Sequence, residues 1–193
     1  MAKKSTSKGS YLPVALNLFE AEASKSQVQQ IKIIEAAIHS FSVKGIEKTT
    51  YTDLAKTCQI SRPLIHHYFP TLNSLFLLTA KYVRKTLLRL AMEGVESGHD
   101  NPKDQLEGYI EGCFKWVDLF PAQGRFWMLY FYHSSLGGKA RKDNSELVDA
   151  GHKRIEGILQ AGEAKGFWQV EDKKMIAKAI QLFITGGIVS CLT

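Results

Sequence analysis

The chain has 193 residues, of which 45% are hydrophobic, a formal net charge of +6 and an isoelectric point near 9.2. This length and hydrophobicity are sufficient for a buried core without a disulfide or metal, and they exclude a disordered protein. The cysteines Cys58, Cys113 and Cys191 lie far apart with no CxxC pair, which favours reduced thiols over a disulfide framework. The basic charge is compatible with a polyanionic partner, although many basic proteins bind no nucleic acid.

The N-terminal segment, residues 1–25, is small, polar and basic at its start and is expected to be a flexible arm. Two interpretations remain open for it: an arm that follows DNA, or a plain unstructured tail. No signal peptide is expected, because Pro13, Asn17 and Glu20 interrupt the early apolar stretch. The longest apolar run, residues 182–192, is shorter than the roughly 18 residues of a membrane span. The sequence therefore predicts a soluble, cytoplasmic protein with no membrane partner.

Helical periodicity begins at residue 26. Val28, Ile31, Ile34, Ile38 and Phe41 recur at intervals of three and four residues, which places them on one face of a helix. A glycine at position 45 is expected to end this helix, because glycine adopts the left-handed conformation that closes many helices. The wide apolar face requires other elements to pack against it.

Two short helices are predicted next. The segment 50–53, Thr-Tyr-Thr-Asp, matches a capping box, in which the Thr50 hydroxyl accepts a backbone N–H and the Asp53 carboxylate reaches back to the cap. The helix is expected to end near Cys58, and a three-residue connection leads to a second helix. That helix is capped by Ser61 and must stop at Pro70. Two short helices joined by such a turn, after a longer helix, form a helix-turn-helix.

The rest of the chain is also predicted to be helical. A long helix is expected over about 71–94, and the next helix begins at Asn101-Pro102 and ends before Pro121. The aromatic segment 126–132 is expected to be buried on most faces, and Gly137-Gly138 to precede a polar connection over 139–144. Two further helices follow, the first closed by a glycine at 166 and the last starting near residue 172. Because no segment alternates with a period of two, the predicted fold class is all-α.

The second short helix carries the predicted DNA contacts. Arg62 in its first turn has the geometry to bind guanine O6 and N7, while Pro63 and Leu64 suit a thymine methyl group. Hydroxyl and imidazole side chains suit phosphate oxygens, and helix N-termini attract anions. The candidate residues are Thr50, Thr52, Ser61, Arg62, Pro63, Leu64, His66, His67 and Tyr68. The alternative for Arg62 is an ordinary solvated side chain, and a metal site at His66-His67 is disfavoured because adjacent helical residues diverge by about 100°.

Residues 31–75 resemble the DNA-binding domain of TetR-type regulators. The matching positions are Ile34, Ala37, Phe41, Gly45, Thr50, Leu54-Ala55, the segment 60–69 and Leu75, with a weaker match at Gly186-Gly187 in the last helix. The resemblance implies a helix-turn-helix domain over 26–70 and a helical ligand-binding and dimerisation domain over 71–193. It also implies a homodimer through the last two helices and a palindromic double-stranded DNA operator.

Three residues depart from the family pattern at the DNA surface. Gln59 stands where the turn commonly has glycine, so we expect a tighter or locally strained turn. Leu72 replaces a lysine that opens the fourth helix and contacts phosphate, and His66 replaces a tyrosine.

The resemblance further implies a small-molecule pocket beneath the fourth helix. Aromatic and neighbouring side chains of the C-terminal part suit an apolar ligand with few polar anchors. The candidate pocket residues are Tyr109, Cys113, Phe114, Trp127, Tyr130, Phe131 and His133. The alternative for each of them is ordinary core packing, and Cys113 is interpreted as a small buried hydrophobic residue.

The sequence predicts neither catalysis nor a cofactor or metal. It has no nucleophile motif, no glycine-rich phosphate loop and no HExxH, and Glu107 and Glu111 are interpreted as a solvated face. The leading hypothesis is a ligand-responsive dimeric repressor of TetR type. The alternative is a helical protein that binds a small molecule or a partner and has lost DNA reading.

Overall fold

A computed structural model of the chain describes residues 24–193, so the arm expected over 1–25 lies almost wholly outside the described residues. Between residues 24 and 193 the chain forms eight α-helices and no strand. The helices are α1 (Lys25–Lys44), α2 (Tyr51–Cys58), α3 (Arg62–Tyr68), α4 (Leu72–Ser97), α5 (Pro102–Leu119), α6 (Pro121–Ser135), α7 (Gly138–Ala164) and α8 (Lys173–Leu192). The predicted all-α class is confirmed.

Helix α1 forms as its periodicity predicts. The Ser24 side chain accepts a hydrogen bond from the Gln27 backbone N–H, and the Gln27 side chain accepts one from the Ser24 backbone N–H, which completes a capping box. The helix ends at Gly45, whose φ of 78° favours glycine. Its apolar face, which includes Ile31, Ile34 and Phe41, is fully buried against α4 and α6.

Helices α4 and α5 form the closest helix pair of the molecule. A Cβ atom on Gly94 would overlap the backbone carbonyl of Gly108, and a Cβ on Gly108 would overlap that of Gly94. One turn further along α5, a Cβ on Gly112 would lie 2.4 Å or more from the α4 backbone, closest to the Leu90 carbonyl oxygen. The two backbones are therefore in direct contact, which only glycine allows at these positions.

The polar connection expected over residues 139–144 is wrong. Positive φ angles at Gly137 and Gly138 end α6, and α7 begins immediately, so these residues form its first turns. Ala140 is buried, and its carbonyl oxygen accepts a hydrogen bond from the Tyr130 hydroxyl at 3.2 Å. Arg141 donates to the Ser135 carbonyl across the break. Tertiary contacts thus extend the helix into a segment whose composition is typical of a loop.

Helix α6 is less buried than its aromatic composition suggests. Phe126, Trp127 and Tyr130 are buried, but Tyr132 is 66% exposed and Met128 lies at the surface. The expectation of burial on most faces is therefore wrong for this side of the helix. An amphipathic helix needs only one face in the core, and the remaining aromatic rings can face outward.

Helix α8 has an apolar outer face that is largely exposed. Its inner face contacts α5, α6 and α7, while Leu182 and Phe183 are 72% and 65% exposed and Phe183 touches only the edge of the α5 ring Phe114, at 6.3 Å between ring centroids. By length and composition α8 is also the one helix in residues 24–193 that meets the requirements of a membrane span. The apolar run considered in the sequence, residues 182–192, is shorter than a membrane span, whereas the complete helix is long enough.

Candidate nucleic-acid interface and ligand cavity

The turn between α2 and α3 has the conformation that glycine usually provides. Gln59 is in the left-handed region, with φ 56° and ψ 44°, and its backbone N–H bonds to the end of α2. The Ile60 N–H donates to the Ala55 carbonyl at 3.0 Å, which completes the helix termination. The local strain expected at Gln59 is therefore present, because a side chain disfavours this conformation by about 1–2 kcal/mol.

Helix α2 is capped as predicted at Thr50 but not by the full capping box. The Thr50 hydroxyl accepts a hydrogen bond from the Asp53 backbone N–H at 3.1 Å. The Asp53 carboxylate does not return to the cap; it lies 3.5 Å from the ammonium group of Lys44. The reciprocal half of the box is therefore wrong, because the cation at the end of α1 offers the carboxylate a charged partner.

Helix α3 is held from behind by Ile65 and Phe69, which are both buried. The Tyr51 hydroxyl donates a 2.6 Å hydrogen bond to the Phe69 carbonyl oxygen, and the Tyr51 ring packs edge-on against His66 at 4.3 Å between ring centroids. Tyr51 thus joins the start of α2 to the end of α3. His66, one of the departures from the family pattern, is an exposed residue that packs on this bracing ring.

The predicted DNA contacts lie on one short segment, and most of them face solvent. Thr50, Thr52, Ser61, Arg62, Pro63, His66 and His67 are exposed, whereas Leu64 and Tyr68 are half-buried. Ser61 caps α3 by its backbone position, and its hydroxyl makes no capping hydrogen bond. The hydroxyl and the α3 N-terminus are thus both available to an anion.

Sequence reasoning missed two lysines on this side of the molecule. Lys48 and Lys56 are exposed on the α1–α2 connection and on α2, and neither is in an ion pair within the described part of the chain. The connection is fixed by Thr49, whose hydroxyl donates to the Gly45 carbonyl at 2.8 Å and lies 2.9 Å from the Ser40 hydroxyl. An excess of Lys and Arg in residues 1–75 was the available signal.

Leu72, the residue that departs from the family pattern at the start of α4, has a packing role. Thr71 caps the helix and forms a capping box with Ser74. Leu72 is half-buried and packs against the core, so it contributes apolar contact where a lysine would project a charge.

A cavity of about 150 Å³ lies beneath α4. Five helices contribute to its wall: α4, α5, α6, α7 and α8. The wall is mainly apolar, with Leu87, Trp127, Phe131, Ile184 and Ile188 among its residues.

Four of the seven predicted pocket residues line this cavity: Tyr109, Cys113, Trp127 and Phe131. The other three lie elsewhere. Phe114 packs at the α5–α8 contact, where a Cβ on Gly187 would be 2.5 Å from its ring. Tyr130 and His133 contact Phe76 on the other face of α6, with ring centroids 6.0 and 5.0 Å away. Composition could not separate the two faces of α6, because both are aromatic.

The polar residues of the cavity were not predicted. Arg84 from α4, Arg154 from α7 and Gln181 from α8 all line it. Charged and amide side chains on helices are usually solvated, so sequence alone gave no distinguishing signal for these three residues. A Cβ on Gly151 would lie 2.7 Å from the Gln181 side-chain oxygen, so this glycine leaves room for the amide.

Burial determines the protonation of the cavity side chains. It raises the pKa of the Cys113 thiol to about 12, although the nearby Arg154 charge opposes the shift. The pKa of Tyr109 is raised for the same reason and is lowered in part by a hydrogen bond with Arg154. Both groups are therefore protonated and uncharged at neutral pH, and Cys113 behaves as the buried hydrophobic residue expected from the sequence.

A group of aromatic rings connects α1 to the cavity helices. Phe76 of α4 contacts Phe41 of α1 edge-on at 5.5 Å between ring centroids, and both rings contact Phe126 of α6. On α6, Trp127 stacks on Tyr130 at 5.2 Å, and Trp127 lines the cavity. Helix α6 thus lines the cavity on one side and contacts α1, the first helix of the predicted helix-turn-helix domain, on the other.

Residues 24–193 contain no group of three His, Cys, Asp or Glu side chains arranged to hold a metal ion.

The sequence comparisons agree with this geometry. Residues 33–78, which span most of α1 through the start of α4, match the family described as bacterial regulatory proteins, tetR family. Residues 33–78 thus carry the DNA-binding domain of TetR-family transcriptional regulators. The recognised resemblance is thus confirmed.

Curated relatives of this chain include HTH-type transcriptional regulators named BetI. The Agrobacterium fabrum protein is 22% identical over 57% of this chain, and the Rhizobium meliloti protein is 20% identical over 82%. The matched regions cover 53% and 75% of those relatives, so the chain spans about half the length of the first.

Solved structures share the fold. The TetR family regulator PfmR from Thermus thermophilus has a TM-score of 0.67 at 21% identity, covering 81% of this chain and 84% of PfmR. A protein from Saccharomonospora viridis in complex with choline has a TM-score of 0.69 at 19% identity, with 81% of each chain covered.

Proposed function

We propose that this chain is a ligand-responsive, dimeric repressor that reads a palindromic DNA operator and releases it when a small molecule occupies the cavity. The observation that carries the proposal is the position of α6, which lines the cavity with Trp127 and Phe131 and supports α1 through Phe126. The proposed working location is the cytoplasm, without catalysis or membrane insertion. Each part of the proposal has its own support and test.

DNA reading is assigned to α3. Arg62 is exposed in the first turn of this helix, beside the Ser61 hydroxyl, which makes no capping hydrogen bond. A guanidinium at this place suits bidentate binding to guanine, while Thr50 and Lys48 suit phosphate oxygens. Phosphate contacts orient the helix, and the base contact provides sequence preference.

Dimerisation is assigned to α7 and α8. The outer face of α8 exposes Leu182 and Phe183, and Gly186 on the same face has open space beside it. A second copy would bury this apolar surface by two-fold symmetry and place two α3 helices in successive major grooves. Phe183→Ser should therefore yield a monomer in sedimentation at concentrations where the unaltered chain is dimeric. Tyr132→Ser, which removes an equally exposed ring from α6, should leave the dimer intact.

Ligand response is assigned to a shift of α6 and α4. A molecule in the cavity contacts Trp127 and Phe131, and the same helix holds Phe41 and Phe76 through Phe126. A ligand that binds better to one position of α6 favours one spacing of the two α3 helices. This is a population shift between two dimer geometries.

The decisive experiment is a gel shift with the purified full chain and DNA from upstream of its own gene. The regulator proposal expects a shift that prefers one palindromic sequence and weakens as salt increases. Binding that is equal on scrambled DNA would indicate phosphate contacts alone. Absence of a shift on any duplex would favour the alternative, a helical ligand- or partner-binding protein without DNA reading.

A further inference from the structure

The cavity combines apolar walls with two cationic side chains. Trp127 and Phe131 of α6 and Ile184 of α8 supply apolar surface, whereas Arg84 and Arg154 supply guanidinium groups. No Asp or Glu side chain is among the described residues that line it. The cavity is therefore positive without an acidic side chain in its own wall.

Neither guanidinium is neutralised by a close carboxylate. Among residues 24–193, no ion pair within 4.0 Å involves Arg84 or Arg154. Asp143 lies near Arg84, across a separate small cavity that both residues line. Arg154 lines only the larger cavity, whose described wall has no acidic side chain, so its charge is the less compensated of the two.

Arg154 is also the better positioned cation. It lines the cavity close to buried Tyr109, whose pKa the guanidinium lowers in part. One turn earlier on α7, Gly151 leaves space for the Gln181 side-chain oxygen. A half-buried guanidinium in this position has donors for a planar anion.

We infer that the cavity binds a compact carboxylate with an apolar body, whose carboxylate pairs with Arg154 while its body contacts Trp127 and Phe131. This inference rests on the proposed function for its regulatory meaning, but the binding itself is independent of DNA. A carboxylate matches the guanidinium with two parallel hydrogen bonds and removes the cost of an unpaired charge. A quaternary ammonium such as choline, seen in the Saccharomonospora viridis protein, would meet two like charges here.

The size of the cavity restricts the apolar body. A cavity of about 150 Å³ accommodates an apolar body of benzene size. The aromatic walls favour ring contacts with such a body. Benzoate is therefore a suitable probe, with benzyl alcohol as its neutral counterpart and choline as the cationic one.

The test is isothermal titration of the full chain, without DNA, with benzoate, hexanoate, benzyl alcohol and choline. We expect at least one of the two carboxylates to bind at least tenfold more tightly than benzyl alcohol, and choline to bind no better than benzyl alcohol. Arg154→Gln should reduce carboxylate affinity at least tenfold with benzyl alcohol unchanged. Lys153→Gln removes an exposed charge from the same helix and should change neither.

Arg154→Lys, which keeps the charge without the planar fork, should fall between Arg154→Gln and the unaltered chain. If Arg154→Gln does not fold, the carboxylate affinity of Arg154→Lys is compared with that of the unaltered chain instead. The inference is overturned if neither carboxylate binds up to millimolar concentration, or if benzyl alcohol or choline binds as tightly. Equal affinity in Arg154→Lys and Lys153→Gln would also contradict it. Carboxylate binding by a chain that fails the gel shift would sink only the regulatory function.

Discussion

The helix-turn-helix and the cavity beneath α4 are built in different ways. The candidate DNA-binding surface comes from one short segment, residues 44–69, whose helix ends are set by Thr50, Gln59 and the following Pro70. The cavity takes its wall from five helices, and close backbone contacts such as Gly94 with Gly108 keep two of them together. A substitution on the surface segment therefore alters one side chain and leaves its neighbours in place. A substitution in the packed helices shifts several walls of the cavity together.

The largest expected effect concerns packing. Gly108→Ala should destabilise the fold by about 3 kcal/mol, because its Cβ would overlap the Gly94 backbone, which cannot move as a flexible side chain can. Thermal or urea unfolding measures the change. Gly157→Ala is the matched control on α7: nothing lies within 4 Å of its added Cβ, so it should stabilise by up to about 1 kcal/mol. Equal behaviour of the two variants would contradict the close α4–α5 contact.

The second largest effect is a loss of operator affinity in Arg62→Ala, with the free energy of unfolding of the chain unchanged. Arg62→Ala should lose about 1–3 kcal/mol of operator binding and relax preference at one base pair, because Arg62 is exposed and is proposed to bind a base edge. Lys56→Ala should weaken binding to all sequences evenly if it contacts phosphate. Competition binding against a set of single-base operator variants separates the two. An even loss in Arg62→Ala would exclude a base-reading role.

A smaller effect is expected at the turn. Gln59→Gly should stabilise the chain by about 0.5–1 kcal/mol, because glycine adopts the φ of 56° without a steric penalty, and its larger backbone entropy offsets only part of the gain. Urea unfolding is the measurement. Thr57→Gly, in the helical body of α2, is the contrasting variant and should destabilise. A loss of stability in both would show that the Gln59 side chain has a contact that outweighs its backbone strain.

The smallest effect depends on pH and lies where α1 meets α4. Burial raises the pKa of Glu35 above its ordinary value, and the hydrogen bond from the Tyr82 hydroxyl lowers it only in part. A raised folded-state pKa favours the protonated form, so the contribution to stability is present below the unfolded pKa and is lost as pH rises through the folded pKa. Glu35→Gln should therefore be slightly more stable than the unaltered chain at pH 7.

The stability difference between Glu35→Gln and the unaltered chain should vanish at about pH 3, well below the pKa of an unfolded glutamate, where Glu35 is protonated in both folded and unfolded states. Unfolding curves at the two pH values measure it. Glu47→Gln alters an exposed acid nearby and should show no such pH-dependent gain. A gain for Glu35→Gln that is the same at both pH values would assign the effect to something other than ionisation.

Much of the helix-turn-helix could be predicted because its signals are local. Thr50, Ser61, Pro63 and Pro70 act on the backbone within three or four residues, so their effect does not depend on distant parts of the chain. Even here, the Asp53 carboxylate binds Lys44 rather than the cap. The domain boundary at residue 70 and the individual DNA contacts stay predictions.

The all-α class, the order of helices and the position of the helix-turn-helix are contained in the sequence by itself, because periodicity and capping act over a few residues. The cavity was decided by tertiary structure. Whether Tyr130 or Trp127 faces it depends on the rotation of α6, and Arg154 reaches it because α7 packs with this side toward α4 and α8. The proximity of Arg154, Tyr109 and Gln181, from three different helices, is a property of packing that no local pattern records.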